Sequence, residues 1–146
     1  MNVNRDFYLN KLISKMHNNK IKILTGIRRC GKSYLLFNLF KEYLISQNIN
    51  TKQIITISLE DIENIELRNP IKLNNFIKSK IENNQQYYAF IDEIQMCSGI
   101  KKTICWKWWS NNICWYFVSI NENKKSWYIH NRKQLKNVIF TSFNTI

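Results

Sequence analysis

Ile21-Lys22-Ile23-Leu24-Thr25-Gly26-Ile27-Arg28-Arg29-Cys30-Gly31-Lys32-Ser33 runs from a short β-prone stretch through the pattern G-x-x-x-x-G-K-S into a segment with helical apolar spacing. That strand, loop, helix succession is the context in which the pattern forms a phosphate-binding loop, or P-loop. Its glycines admit positive φ, which turns backbone N–H groups inward as an anion nest, and the helix that follows adds its positive N-terminal end. Lys32 has the reach for β- and γ-phosphates, and the Ser33 hydroxyl suits Mg²⁺. The bland alternative is a glycine-containing loop before a surface helix. With glycine at about 7 % of residues in ordinary proteins, a chance match in a chain of this length arises at about the one in a hundred level.

The chain has 146 residues, enough for one domain with a core of its own. Its formal net charge of +12 is uneven: residues 101–146 carry eight Lys or Arg against one acidic residue, so +7 falls there and +5 on the first hundred. Four cysteines, one of them inside the phosphate loop, with no secretory signal ahead, read as reduced thiols in a cytoplasmic protein rather than a disulfide framework. No apolar run approaches the ~20 residues of a membrane span, so a soluble chain is expected. The abundance of Asn, Ile and Lys points to an AT-rich gene.

Along the chain, Leu9, Leu12, Ile13 and Met16 mark an amphipathic helix over 5–17 that would lie beside the loop. Leu35, Leu36, Leu39, Phe40, Tyr43 and Leu44 give a helix from Lys32 to about Ser46 one apolar face. Ile54 to Leu59 read as a strand ended by Glu60 and Asp61. Asn69 and Pro70 fit an N-cap and first helical position, with Leu73, Phe76, Ile77 and Ile81 continuing on one face. Tyr87 to Ile91 is apolar without alternation, as expected of a strand covered on both sides. The order α-β-α-β-α-β predicts an α/β fold with a parallel sheet and right-handed crossovers.

Asp92 and Glu93 follow directly on that buried strand, and two carboxylates there need a reason. In a P-loop fold this is the place of a Walker B pair: Asp92 would hold Mg²⁺, and Glu93 would polarise the water that attacks the γ-phosphate. A GTPase would need N-K-x-D, and Asn123-Lys124-Lys125-Ser126 lacks the Asp. A nucleoside kinase would not require the adjacent Glu, and no acceptor pocket for a small-molecule kinase can be located. An ATPase fits best.

Leu12-Ile13, Ile21 to Ser33, Leu67-Arg68-Asn69-Pro70 and Phe90-Ile91-Asp92-Glu93-Ile94-Gln95 together resemble prokaryotic AAA-type ATP-binding proteins, over roughly residues 5–98. The resemblance implies a P-loop NTPase fold and a further C-terminal domain of unknown function in typical members. It implies ATP and Mg²⁺ as ligands, with Gly26, Gly31, Lys32 and Ser33 as phosphate and Mg²⁺ ligands and Asp92 and Glu93 as the acidic pair. Lys32 and Glu93 are the catalytic candidates, Ser33 and Asp92 the metal-binding ones. Arg28 and Arg29 also match that group's loop. What ATP turnover is coupled to and which protein partner it serves are not legible.

From about residue 101 the chain departs from that pattern. All five Trp lie between Trp106 and Trp127, and no Gly or Pro follows Gly99. Active-site loops of parallel α/β enzymes need glycine, and the strand with its polar sensor residue is absent from this frame. Reading Trp127 to Ser142 one nucleotide later permits Gly-Ile-Tyr-Ile-Thr-Gly-Ser-Asn-Ser-Lys-Met-Leu-Ser-Ser, a strand and sensor segment of the kind the group has. Thr103 to Trp115 read the same way permits Pro-Tyr-Val-Gly-Asn-Gly-Gly-Gln-Ile-Thr. Lys101-Lys102-Thr103 can be encoded with a run of up to seven adenines, a slip site. The expectation is therefore an ATP-binding portion over 1–100 and an out-of-frame, basic, Trp-rich tail over 101–146. The sheet would be incomplete at its centre and marginally stable, unless Ile113 to Ile120 fills the gap by accident. Hydrolysis would be impaired, because sensor and arginine-finger candidates are missing.

At face value, Lys101-Lys102, Trp106-Lys107-Trp108-Trp109 and Lys124-Lys125 interleave charge with rings, which suits single-stranded nucleic acid. A nucleic-acid-binding protein on a P-loop scaffold is the alternative function. Cys97, Cys105, Cys114 and His130 lack the close pairs of a zinc site.

Overall fold

Five short β-prone runs form one parallel sheet in a computed structural model that describes residues 5–18, 21–26, 29–99, 113–119 and 138–143. The strands are β1 (Ile21–Gly26), β2 (Ile54–Ser58), β3 (Tyr87–Asp92), β4 (Ile113–Ser119) and β5 (Val138–Phe143). Their spatial order is β2-β3-β4-β1-β5, with every adjacent pair parallel. Every residue of β1 and all of β3 up to Ile91 are buried, as their unbroken apolar runs require of central strands covered on both faces.

Helices cover both sides. On one face α1 (Arg5–Ser14) packs near the helical segment after the loop, and Leu12, Leu24, Leu36, Phe40, Leu44, Phe90 and Tyr116 form the core beneath them. On the other, α4 (Pro70–Ser79) sets Leu73 and Ile77 against Ile23, Ile57, Ile91 and Phe117. Asn69 caps α4 as expected: its side-chain oxygen accepts from the N–H groups of Ile71 and Lys72 at 3.0 and 3.1 Å, with Pro70 in the first turn.

The departures are informative. The helix after the loop is not one α-helix but α2 (Lys32–Tyr34), a π-wound stretch (Leu35–Phe40) and α3 (Lys41–Ser46). The wider winding still keeps Leu35, Leu36, Phe40 and Leu44 buried. The first helix stops at Ser14, where Lys15 and Met16 turn back onto the carbonyls of Leu12 and Ile13. Ile62–Arg68 winds as a 3-10 helix that apolar spacing did not foretell. No helix among the described residues is long and apolar enough to cross a membrane.

The expected gap between β1 and β3 is filled by β4, with Lys22 opposite Tyr116 and Tyr88 opposite Cys114. The fit is imperfect chemically. Lys22 is 1 % exposed, its ammonium donating to the Met16 carbonyl at 3.1 Å and lying 4.9 Å from the centre of the Tyr116 ring. Burial lowers its pKa from the ordinary lysine value, opposed in part by Cys114. The Tyr116 hydroxyl is buried without a hydrogen-bond partner. An orphaned hydroxyl and a desolvated ammonium in one core are both unfavourable. Residues 101–112 and 120–137, which hold the remaining Trp and basic residues and His130, lie outside the described residues. Of the cysteines and histidine considered for zinc, Cys97 belongs to the core on one face of the sheet and Cys114 to that on the other, which no shared ion could bridge.

Candidate phosphate and metal site

The site lies at the carboxyl ends of β1 and β3, where an open parallel sheet binds its ligands. β1 ends at Gly26, and the chain enters α2 through Gly31, whose φ of 89° is in the left-handed region that favours glycine. Nothing lies within 4 Å of a Cβ placed on Gly31, so backbone conformation rather than crowding selects glycine there. Ile27 and Arg28 lie outside the described residues.

Lys32, the first residue of α2, is 4 % exposed and curls back over the loop. Its Nζ donates to the Gly26 carbonyl at 2.9 Å and to Cys30 Sγ at 3.3 Å. Ser33 Oγ donates to Asp92 Oδ2 at 2.7 Å. That contact joins two segments 59 residues apart in sequence. Asp92 Oδ1 accepts from the Glu93 N–H at 2.9 Å. Burial raises the Asp92 pKa above the ordinary carboxylate value; the bonds from Ser33 and the Glu93 N–H and the charge of Lys32 pull the other way, while the carboxylate of Glu60 adds to the rise.

A cleft of about 220 Å³ opens beside these groups, lined by Arg29, Cys30, Gly31, Lys32, Ser33, Tyr34 and Glu93. Arg29 and Glu93, on its rim, are two non-glycine residues with positive φ, 62° and 54°. Such conformations cost about 1–3 kcal/mol and cluster at binding sites. Ser33 and Asp92 bring two hard oxygen donors from different elements together, the donor chemistry that suits Mg²⁺. No group of three or more His, Cys, Asp or Glu is placed to hold a metal among the described residues, and Mg²⁺ needs none, since it takes one or two protein oxygens and completes its shell with phosphates and water.

The phosphate- and metal-binding candidates read from the sequence fall in one neighbourhood: Gly26 and Gly31 bound the loop, Lys32, Ser33 and Glu93 line the cleft, and Asp92 meets Ser33. Sequence reasoning passed over Tyr34, which carries the Arg5 guanidinium 4.8 Å from its ring centre and so ties α1 to the cleft. It passed over Glu60 as an electrostatic neighbour of Asp92. It also assigned nothing to Gln95, although Gln95 closes the D-E-x-Q run whose first two residues it singled out.

Comparison with known proteins bears on the family and the fold. A family model described as AAA domain matches residues 18–118, which takes in β4. An uncharacterized protein of Haemophilus influenzae is 32% identical over 103 residues, covering 70% of this chain and 26% of the relative. An uncharacterized protein of Methanocaldococcus jannaschii is 32% identical over 106 residues, covering 70% and 20%. The chain therefore spans about a quarter or less of the length of these relatives. Among solved structures, a chain of Drosophila ORC bound to DNA superposes with a TM-score of 0.61 at 11% identity, covering 96% of this chain and 88% of that one. A DNA polymerase III gamma subunit-related protein from Thermotoga maritima does so with 0.55 at 14%, covering 98% and 47%. These likenesses speak for the fold. With the family matched across more than half its length on an α/β P-loop architecture, the chain belongs to the AAA domain family and is an ATP-binding domain of that type.

Proposed function

We propose that this domain binds Mg-ATP through its phosphate loop and that hydrolysis of the γ-phosphate is the reaction its acidic pair serves. The observation that carries the proposal is the 2.7 Å bond between Ser33 Oγ and Asp92 Oδ2, which brings the loop and the carboxylate strand into one place. Lys32 exchanges its contacts with the Gly26 carbonyl and Cys30 for phosphate oxygens, and the N–H groups of the loop and of the start of α2 complete the cradle. Ser33 and Asp92 would hold the metal, and Mg²⁺, when bound, would supply neutralisation of the phosphate charge. Glu93, on the rim of the same cleft, orients water for in-line attack and accepts its proton. The natural compartment is the cytoplasm, where ATP and reduced cysteines coexist.

Single-turnover measurement with labelled ATP tests this. Glu93→Gln is expected to retain ATP binding and lose at least about a hundredfold in turnover, the scale of one general base. Equal turnover in the two proteins would reject Glu93 as the base.

We also propose that the chain from about residue 101 is the product of a shifted reading frame, with β4, which the family match to residue 118 still takes in, standing in for the family's own strand. The buried Lys22 beneath the Tyr116 ring and the orphaned Tyr116 hydroxyl support this, since a strand selected for that place would not bury them. Turnover is then slow, for want of the groups the proper segment supplies. Sequencing the gene and transcript across the Lys101 codon decides the matter: an insertion or deletion relative to the relatives' frame is expected, and an unbroken alignable frame ends the idea. The rival function, oligonucleotide binding by Lys101–Trp109 and Lys124–Lys125, rests on composition alone. It predicts salt-dependent binding that disappears on truncation after Gly99.

A further inference from the structure

We infer that Gln95 is a positioning residue for Glu93, holding the carboxylate at the edge of the phosphate cleft; this rests on the reading of Glu93 as the base. Three features of the turn after β3 lead to it. Glu93 adopts a left-handed conformation, φ 54°, and the chain at once winds into a 3-10 turn over Ile94–Met96, closed by the Met96 N–H on the Glu93 carbonyl at 2.9 Å and the Cys97 N–H on that of Ile94 at 3.0 Å. Ile94 is wholly buried and pins that turn to the core. In this setting Gln95 Nε2 donates to Glu93 Oε2.

The orientation of the Gln95 amide is dictated by chemistry. Turned over, it would set its carbonyl oxygen against the carboxylate, two acceptors with no proton between them. In the orientation present, Gln95 Oε1 is buried without a partner. A side chain that leaves its own carbonyl unsatisfied while its amide holds a carboxylate is placed for that carboxylate, not for its own hydrogen-bonding balance. Glu93 has rotatable bonds enough to leave the cleft for solvent. The Gln95 amide removes that freedom and keeps the carboxylate where attacking water must stand, and a misplacement of about 1 Å costs roughly a hundredfold in rate. A shorter or absent amide at position 95 gives Glu93 back its freedom without altering the phosphate loop.

The test has two arms on the full chain. In the first, the side-chain amide resonances of Gln95 are recorded by ¹⁵N NMR in the unliganded protein and in Glu93→Ala. A clear shift on loss of the carboxylate is expected, and unchanged resonances would overturn the inference whatever the catalytic role of Glu93. In the second, Gln95→Ala and Gln95→Asn are compared for ATP affinity and single-turnover rate. We expect unchanged affinity and at least a tenfold slower turnover for both, with Gln95→Ala causing no further loss in a Glu93→Gln background. Turnover equal to the parent in Gln95→Ala, or the same loss with and without Glu93, would also overturn it. Should the parent itself not hydrolyse ATP, the hydrolytic reading fails while the NMR arm still decides whether Gln95 holds Glu93.

Discussion

Asp92 shows how the site holds a latent charge. Burial raises its pKa while Ser33, the Glu93 N–H and Lys32 partly restore the carboxylate. The folded value lies above the unfolded one, so protonation favours the fold: the contribution is fully present below the unfolded pKa and is lost as pH rises through the folded one. Melting temperature measured against pH, in the absence of metal, should therefore fall more across the acidic range in the parent than in Asp92→Asn, which has no proton to lose. Parallel pH profiles would contradict this. Gly31 makes a second prediction. Its φ of 89° with open space around a built Cβ means that Gly31→Ala meets strain without collision, and about 1–2 kcal/mol of destabilisation is expected in denaturant titration. A neutral result would mean that the loop relaxes.

The elements differ in how far local pattern specified them. Asn69-Pro70 announced α4 because capping is chemistry between neighbours, and Asn69→Ala should cost about 1 kcal/mol in urea denaturation. The phosphate loop and the Asp92-Glu93 strand end were legible because both place unusual residues at fixed offsets from an apolar run. The π winding of Leu35–Phe40 was not, since the same apolar residues serve either winding; in it Phe40 packs against Phe90 and Tyr116. Lys22 was invisible for the same reason: a lysine in a strand reads as solvated until the strands beside it are known. Gln95 passed unnoticed because its partner, the Glu93 carboxylate, is brought within reach by a left-handed residue that no spacing rule encodes. β4 carries a prediction of its own. Tyr116→Phe removes a hydroxyl that has no partner and keeps the ring beside Lys22, so it should stabilise the protein by about 1 kcal/mol. A loss of stability on that change would show that the hydroxyl is satisfied after all.

Among the described residues the strands form one parallel sheet whose order puts β4 between the loop strand and the carboxylate strand, while Ser33 and Asp92 join the two halves of the site directly. The expected hole at the sheet centre is closed, and what remains is a mismatch in that strand's chemistry. Exchanging residues 101–146 for the shifted reading should raise the melting temperature, by roughly 2–4 °C for each kcal/mol recovered. No gain would leave β4 as the strand proper to this fold. The central claim is simpler, that the amides of the loop and the ammonium of Lys32 grip a triphosphate with Asp92 alongside to share the metal. Calorimetric titration of the full chain with ATP, with and without Mg²⁺, tests it most directly. Metal-dependent binding that weakens at least tenfold in Lys32→Ala is the predicted result; equal affinity in the two proteins, or no binding to the parent, would contradict it.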